Sequence, residues 1–199
     1  VVTSIGVYGG SFDPVHFGHL RTALEVRSQL GLDELRFIPT GDPPHKAGPK
    51  ALAFERIKML ELAIAGNPGF VIDPREIERQ TTSYTIDTLL ELQSEYPDAL
   101  LTMVIGTDQF SVFDTWHRWQ DLLKLAHLAV MERPGEPLSE FAKSQLSGEN
   151  AARITLCPVT QLDISSTGIR NALQQGTDVQ FLLPYAVRQY INEKSLYQS

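Results

Sequence analysis

The stretch Gly9-Gly10-Ser11-Phe12-Asp13-Pro14-Val15-His16-Phe17-Gly18-His19-Leu20 constrains this sequence more than any other, because the residues on its two sides repeat with different periods. Ahead of it, Ser4 to Tyr8 places Ile5, Val7 and Tyr8 around one glycine, a short apolar run that predicts a buried strand. Behind it, Leu20, Ala23, Leu24 and Arg27 to Leu30 predict a helix over 18–30, with Gly31 where a C-terminal cap belongs. The stretch is therefore a strand-to-helix corner. Its glycine pair lets the backbone approach a ligand where a Cβ would clash, and the N–H groups of a helix's first turn form a site for phosphate. His16 and His19 are three apart, so within a helix they share a face and both point at that phosphate. Protonated, either imidazole is a donor and a compact positive charge. The alternative is that His16 caps the turn and His19 packs beneath it.

Leu35 to Ile38 predicts a second strand, ended by Pro39, and strand-helix-strand at this spacing begins a parallel sheet whose ligands bind beyond the strands' carboxyl ends. The loop from Pro39 to Lys46 is stiffened by three prolines and presents His45 and Lys46, either as a solvated tip or as two cations beside a second phosphate. Ala51 to Ala65 predicts a helix with Phe54, Ile57, Met59, Leu60 and Ile64 on its apolar face and with Arg56 and Lys58 solvated. Phe70 to Ile72 is a third short strand. Thr81 to Thr88 predicts a helix start capped by Thr85 or a neighbour, which leaves the ring of Tyr84 able to stack on a ligand.

Leu100 to Ile105 is the clearest strand, apolar throughout as a central parallel strand should be, and Gly106-Thr107-Asp108 puts a carboxylate at the mouth of the sheet. Phe110 to Leu123 carries Trp116 and Trp119 at an i,i+3 spacing, so that Trp119 serves the core with Leu122 and Leu123 while Trp116 is free to reach a ligand. Leu125 to Met131 is another strand, followed by a turn that presents Arg133 near the same edge. Ser139 to Leu146 predicts a short peripheral helix, and Arg153 to Val159 the last strand, with Cys157 a buried thiol. A second signature follows, Asp163-Ile164-Ser165-Ser166-Thr167-Gly168-Ile169-Arg170: three hydroxyls at the start of a helix that closes at Gly176, with an arginine just inside it, make a nest for phosphate.

The chain has 199 residues, enough for one well-buried domain, whose last part, 160–199, is helical. With 42% hydrophobic and 21% charged residues it is an ordinary folded composition, and a net charge of -7 argues against holding nucleic acid by bulk electrostatics. One cysteine excludes an internal disulfide, and no run is apolar enough to span a bilayer, so no membrane role and a cytoplasmic location are expected. No set of carboxylates is spaced as a metal cage.

The first signature, with His16-Phe17-Gly18-His19, resembles that of the HxGH nucleotidyltransferases, and its fuller form Gly10 to His16 is similar to that of the bacterial nicotinate-nucleotide adenylyltransferase family. The second matches the Ile-Ser-Ser-Thr-x-Ile-Arg signature of the same superfamily, and the likeness covers essentially the full chain. The resemblance implies a Rossmann-like α/β fold, an open and mainly parallel sheet with helices on both faces, and transfer of AMP from ATP to nicotinate mononucleotide. It implies His16, His19 and Arg170 as catalytic residues. Gly9, Gly10, Ser11, Phe12, Gly18, Ile164, Ser165, Ser166 and Thr167 would join them around ATP, with Mg²⁺ bound chiefly through ATP. For the mononucleotide it implies Asp13, His45, Lys46, Tyr84, Thr85, Gly106, Asp108, Trp116 and Arg133. Sister enzymes acting on nicotinamide mononucleotide or phosphopantetheine, and a non-catalytic nucleotide sensor, share the phosphate signatures. A monomer or a homodimer is expected.

Overall fold

The structure, a computed structural model, describes residues 3–41, 50–79, 81–132 and 137–198. In chain order its elements are β1 (Ser4–Gly10), α1 (Phe17–Leu30), β2 (Glu34–Pro39), α2 (Ala53–Ile64), β3 (Phe70–Ile72), α3 (Arg75–Glu78), α4 (Thr85–Glu95), β4 (Leu100–Gly106), α5 (Thr107–Ser111), α6 (Trp119–Leu125), β5 (His127–Glu132), α7 (Glu140–Ser147), β6 (Ile154–Pro158), α8 (Ser166–Gln174) and α9 (Tyr185–Glu193). Single 3₁₀ turns lie at Phe113–Thr115 and Ala151–Arg153.

The strands form one sheet in the order β3-β2-β1-β4-β5-β6, and every neighbouring pair is parallel. Side chains alternate across it with a period of two. On one face Tyr8, Leu35, Phe37, Val104, Ala129, Met131 and Cys157 pack with Val26, Met59, Leu60, Ile169, Val187 and Ile191 from α1, α2, α8 and α9. On the other, Ile5, Val7, Ile38, Met103, Ile105, Leu128 and Val130 pack with Leu89, Leu92, Phe110, Leu122 and Ala142 from α4 to α7. The expected Rossmann-like α/β architecture is therefore present. Between β1 and β4 the order of strands reverses, and ligands of open α/β sheets bind beyond the carboxyl ends of the strands at such a point.

Local predictions differ from the structure in three places. The apolar face of α2 is turned: Phe54 is 61% exposed, and Arg56, expected in solvent, is fully buried with Met59 and Leu60. The spacing 56, 59, 60 is itself a helical stripe, so the helix buries the face that holds the arginine. Trp116 and Trp119 do not share a helix, because Arg118 at φ 55 and ψ 41 is left-handed and α6 begins after it. The N-cap of α4 is Tyr84, the neighbour of Thr85, in extended backbone, but no side-chain hydroxyl caps the helix.

Candidate active site

The corner begins where β1 ends and α1 has yet to start. His16 is the N-cap of α1 with φ -146 and ψ 172, so it precedes the helix instead of sharing a helical face with His19. The pair is nevertheless brought together, with rings stacked 3.7 Å apart. The His16 N–H donates to His19 Nδ1 at 3.3 Å. A ring nitrogen that accepts this bond carries no proton, so neutral His19 holds its proton on Nε2 and is a donor at that end. Gly18 is required here: a Cβ on it would lie 2.9 Å from His16 Cε1 and Nδ1. Gly10 is required for a similar reason, since its Cβ would lie 2.9 Å from the Phe12 ring. Phe12 itself is buried at φ 47, in an aromatic cluster with Tyr8, Phe37 and His19.

The corner is anchored from behind by its own carbonyl groups. Thr40 N–H donates to Gly10 O at 2.9 Å. Arg56 Nη1 donates to Ser11 O at 3.0 Å, Arg170 Nη1 to Asp13 O at 2.7 Å, and Ser166 Oγ to Pro14 O at 2.9 Å. The Asp13 carboxylate, 2% exposed, accepts Lys50 N–H at 2.6 Å, Ala51 N–H at 3.0 Å and Tyr197 Oη at 2.6 Å. Burial and this carboxylate push the Tyr197 phenol far up, so it remains a donor. Asp13, expected beside the mononucleotide, thus lies inside the protein as a hub.

The second signature forms the start of α8, and its hydroxyls divide their work. Ser165 is the N-cap, its Oγ accepting Gly168 N–H at 3.0 Å. Ser166 holds the corner, and Thr167 Oγ1 accepts Arg170 Nη2 at 3.1 Å. The preceding loop is fastened to α1 by Glu25, which accepts from both Thr160 N–H and Thr160 Oγ1 at 2.6 Å. Those two bonds hold the Glu25 carboxyl below its usual range.

Two cavities of about 540 Å³ each open at the carboxyl ends of β1, β4 and β5. The first is lined by His16, Gly18, His19, Ile164, Ser165 and Ser166 among others. The second is lined by Gly9, Gly10, Ser11, His19, Thr85, Gly106, Asp108 and Trp116, together with Thr40, Glu76 and Thr88. Tyr8, His19 and Met131 belong to both walls. The structure thus separates residues that the sequence groups together: Gly9, Gly10 and Ser11 lie with Trp116, away from the α8 signature. Phe12, Asp13, Tyr84, Thr167 and Arg170 line neither cavity. Tyr84 is exposed and lies against His117, with ring centroids 4.4 Å apart. His45, Lys46 and Arg133 lie outside the described residues.

Two residues of the site escape sequence reading. Glu76 lines the second cavity from α3, accepting Thr88 Oγ1 at 2.9 Å, and burial raises its carboxyl above the usual range. Nothing in Asp73-Pro74-Arg75-Glu76 distinguishes it from a surface acid. Arg56 is the other, and its stripe with Met59 and Leu60 is the signal that could have revealed it.

Residues 7–172 match the cytidylyltransferase-like family model. A Hydrogenovibrio crunogenus protein named "probable nicotinate-nucleotide adenylyltransferase" is 44% identical over 203 residues, covering 98% of this chain and 97% of that one. One of the same name from Aeromonas hydrophila is 44% identical over 207 residues, with 98% and 97% covered. The solved nicotinic acid mononucleotide adenylyltransferase of Plasmodium falciparum, complexed with NaAD, shares the fold at a TM-score of 0.79 and 19% identity, over 98% of this chain and 97% of that one. Identity of this extent over the whole length, joined to the histidine corner and the serine-rich helix start that face one another across the first cavity, makes the chain a member of the nicotinate-nucleotide adenylyltransferase family.

Proposed function

We propose that the chain transfers AMP from ATP to the 5′-phosphate of nicotinate mononucleotide, giving nicotinate adenine dinucleotide and pyrophosphate. The observation that carries this reading is the shared wall: two cavities of similar size meet at His19, at the point where the order of the sheet reverses. ATP occupies the cavity between the histidine corner and the α8 start, and the mononucleotide occupies the one under Trp116 and Thr85. A phosphate oxygen of the mononucleotide attacks the α-phosphorus of ATP, an O–P bond forms, and the bond from that phosphorus to the bridging oxygen breaks as pyrophosphate leaves. The nucleophile is already an anion, so the chain's task is to align the two phosphates and to offer donors where charge grows. His19, donating from Nε2 at the junction, and His16 stacked on it serve the reacting phosphates. The amides at the start of α8 receive the outer ones, and Arg170, tied to Asp13 and Thr167, steadies both signatures at once.

Among the described residues no group of three or more His, Cys, Asp or Glu is arranged to hold a metal. Mg²⁺ is read as part of the substrate, arriving on ATP oxygens and water, as the family resemblance implies. The first-turn amides of α4, which lack a side-chain cap, favour a carboxylate on the acceptor ring, with Trp116 as its flat neighbour. The test is pyrophosphate release with ATP and Mg²⁺, comparing nicotinate mononucleotide, nicotinamide mononucleotide and phosphopantetheine. A clear preference for the acid is expected. Equal rates with the amide would remove the specificity, and release only with phosphopantetheine would replace the acceptor.

A further inference from the structure

Arg56 stands apart from the other arginines of the chain. Its side chain is 0% exposed, although a guanidinium is costly to remove from water and is held inside only where its donors are well used. Its two terminal nitrogens donate to two backbone carbonyls that are far apart in sequence, Ser11 O at 3.0 Å and Thr40 O at 2.8 Å. These carbonyls lie just past the end of a ladder. The β1–β2 pairing runs through Gly10 opposite Pro39, and among the described residues Thr40 N–H to Gly10 O is the last backbone bond between the two segments. Beyond it, the chain departs on one side into the phosphate corner and on the other into the segment after β2. Ser11 and Thr40 both line the second cavity.

We propose that Arg56 is a positioning residue: its guanidinium bridges Ser11 and Thr40 where the β1–β2 ladder ends, and so sets the place of the acceptor cavity's rim relative to the phosphate corner. The inference rests on the reading of that cavity as the acceptor site. Arginine is needed because its planar fork reaches two carbonyls in fixed directions, whereas a lysine ammonium is a point donor on a flexible stem. The first cavity, formed by His16, Gly18 and the approach to α8, is not lined by either bridged residue.

Arg56→Lys and Arg56→Met test this alongside the wild-type chain. Misplacing one reactant by about an ångström costs on the order of a hundredfold, so Arg56→Lys should lower kcat/KM for the mononucleotide by about tenfold to a hundredfold. Binding of ATP alone, measured by calorimetry, should change by less than about twofold. Amide exchange followed by mass spectrometry should quicken in peptides spanning 9–12 and 38–41, with the β4–β5 peptides unchanged. Kinetics of Arg56→Lys within about twofold of wild type would overturn the proposal. So would parallel weakening of ATP and acceptor, which is the mark of general destabilisation. Should Arg56→Met not fold, Arg56→Lys carries the comparison. A wild-type chain silent with the mononucleotide would refute the acceptor reading, and the local exchange result would still decide whether Arg56 ties the two segments together.

Discussion

Asp13→Asn separates a ligand contact from a structural hub with the loss of one charge and almost no change in shape. In the wild type Oδ2 accepts Lys50 N–H at 2.6 Å, while Oδ1 accepts Ala51 N–H at 3.0 Å and Tyr197 Oη at 2.6 Å. An asparagine offers one oxygen. With its NH₂ in the Oδ2 place it faces the Lys50 N–H; turned over, it faces the Ala51 N–H and obliges the Tyr197 hydroxyl to rotate. Either way a backbone donor meets a donor inside the protein. Losing a hydrogen bond to a charged group costs about 1.5–3 kcal/mol and stranding a buried donor about 1–3 kcal/mol more, so a total of roughly 2.5–6 kcal/mol is expected. That is a large part of the roughly 5–15 kcal/mol that holds a domain together. Urea unfolding followed by tryptophan fluorescence should show a lower midpoint with an unchanged slope. Tyr197→Phe removes one donor and should cost about 0.5–2 kcal/mol, and the double variant should cost less than the sum, because both changes break the same bond. A loss below about 1 kcal/mol in Asp13→Asn, together with weaker binding of the mononucleotide, would refute this argument and restore the ligand contact implied by the family resemblance.

Gly10→Ala should destabilise the chain by about 1–3 kcal/mol, because the new methyl lies 2.9 Å from the Phe12 ring, and should lower turnover because that ring lies 5.2 Å from the His19 ring. Wild-type stability and turnover in that variant would show that Phe12 yields freely. For Glu76→Gln the sign follows from what burial does to the carboxyl. Burial raises the folded carboxyl above 4.5, so the folded state holds the proton more tightly than the unfolded one, and wild-type stability falls as pH rises through that interval. The glutamine should therefore be the more stable near pH 7, by about 1.4 kcal/mol for every tenfold by which the folded state holds that proton more tightly, with the gain vanishing below the ordinary carboxylate range. Denaturation at acid and neutral pH checks this, and a gain independent of pH would contradict it.

The sheet was legible because buried parallel strands leave continuous apolar runs, and Leu100 to Ile105 shows this best. The end of α1 was legible because Gly31 is left-handed at φ 61, a conformation that a glycine adopts freely. The corner and the start of α8 were legible from the motifs and from the chemistry that glycine and hydroxyl clusters serve. The roles of Asp13, Arg56 and Glu76 were not. Each depends on a partner distant in sequence: Tyr197 for Asp13, the Ser11 and Thr40 carbonyls for Arg56, and Thr88 for Glu76. A charged residue in the sequence is read as solvated until something far away is known to meet it. The continuous helix expected through both tryptophans was misread for a related reason, because Arg118 adopts a left-handed backbone that no propensity assigns to arginine.

The same long-range bonds bear on how a chain of net charge -7 would receive phosphates on the proposed function, at cavity walls that hold no lysine or arginine among the described residues. In a trans peptide the C=O and the following N–H point in opposite directions. The carbonyls of Gly10, Ser11 and Pro14 are drawn by Thr40, Arg56 and Ser166, so the N–H groups of Ser11, Phe12 and Val15 are turned away from those anchors. Asp13 O is drawn by Arg170, and the next residue, Pro14, has no N–H to orient. The corner's backbone is thereby fixed from other elements, by Arg56 of α2 and by Ser166 and Arg170 of α8, and of the three turned amides only that of Ser11 belongs to a residue that lines either cavity. In the proposed site an amide held in this way stabilises a growing negative charge without reorganising as it forms, whereas mobile surface lysines would have to be ordered first. The cost falls on folding, since a buried guanidinium and a buried carboxylate must both be satisfied before the corner exists. On the proposed function, stability and catalysis are therefore coupled through the same few bonds.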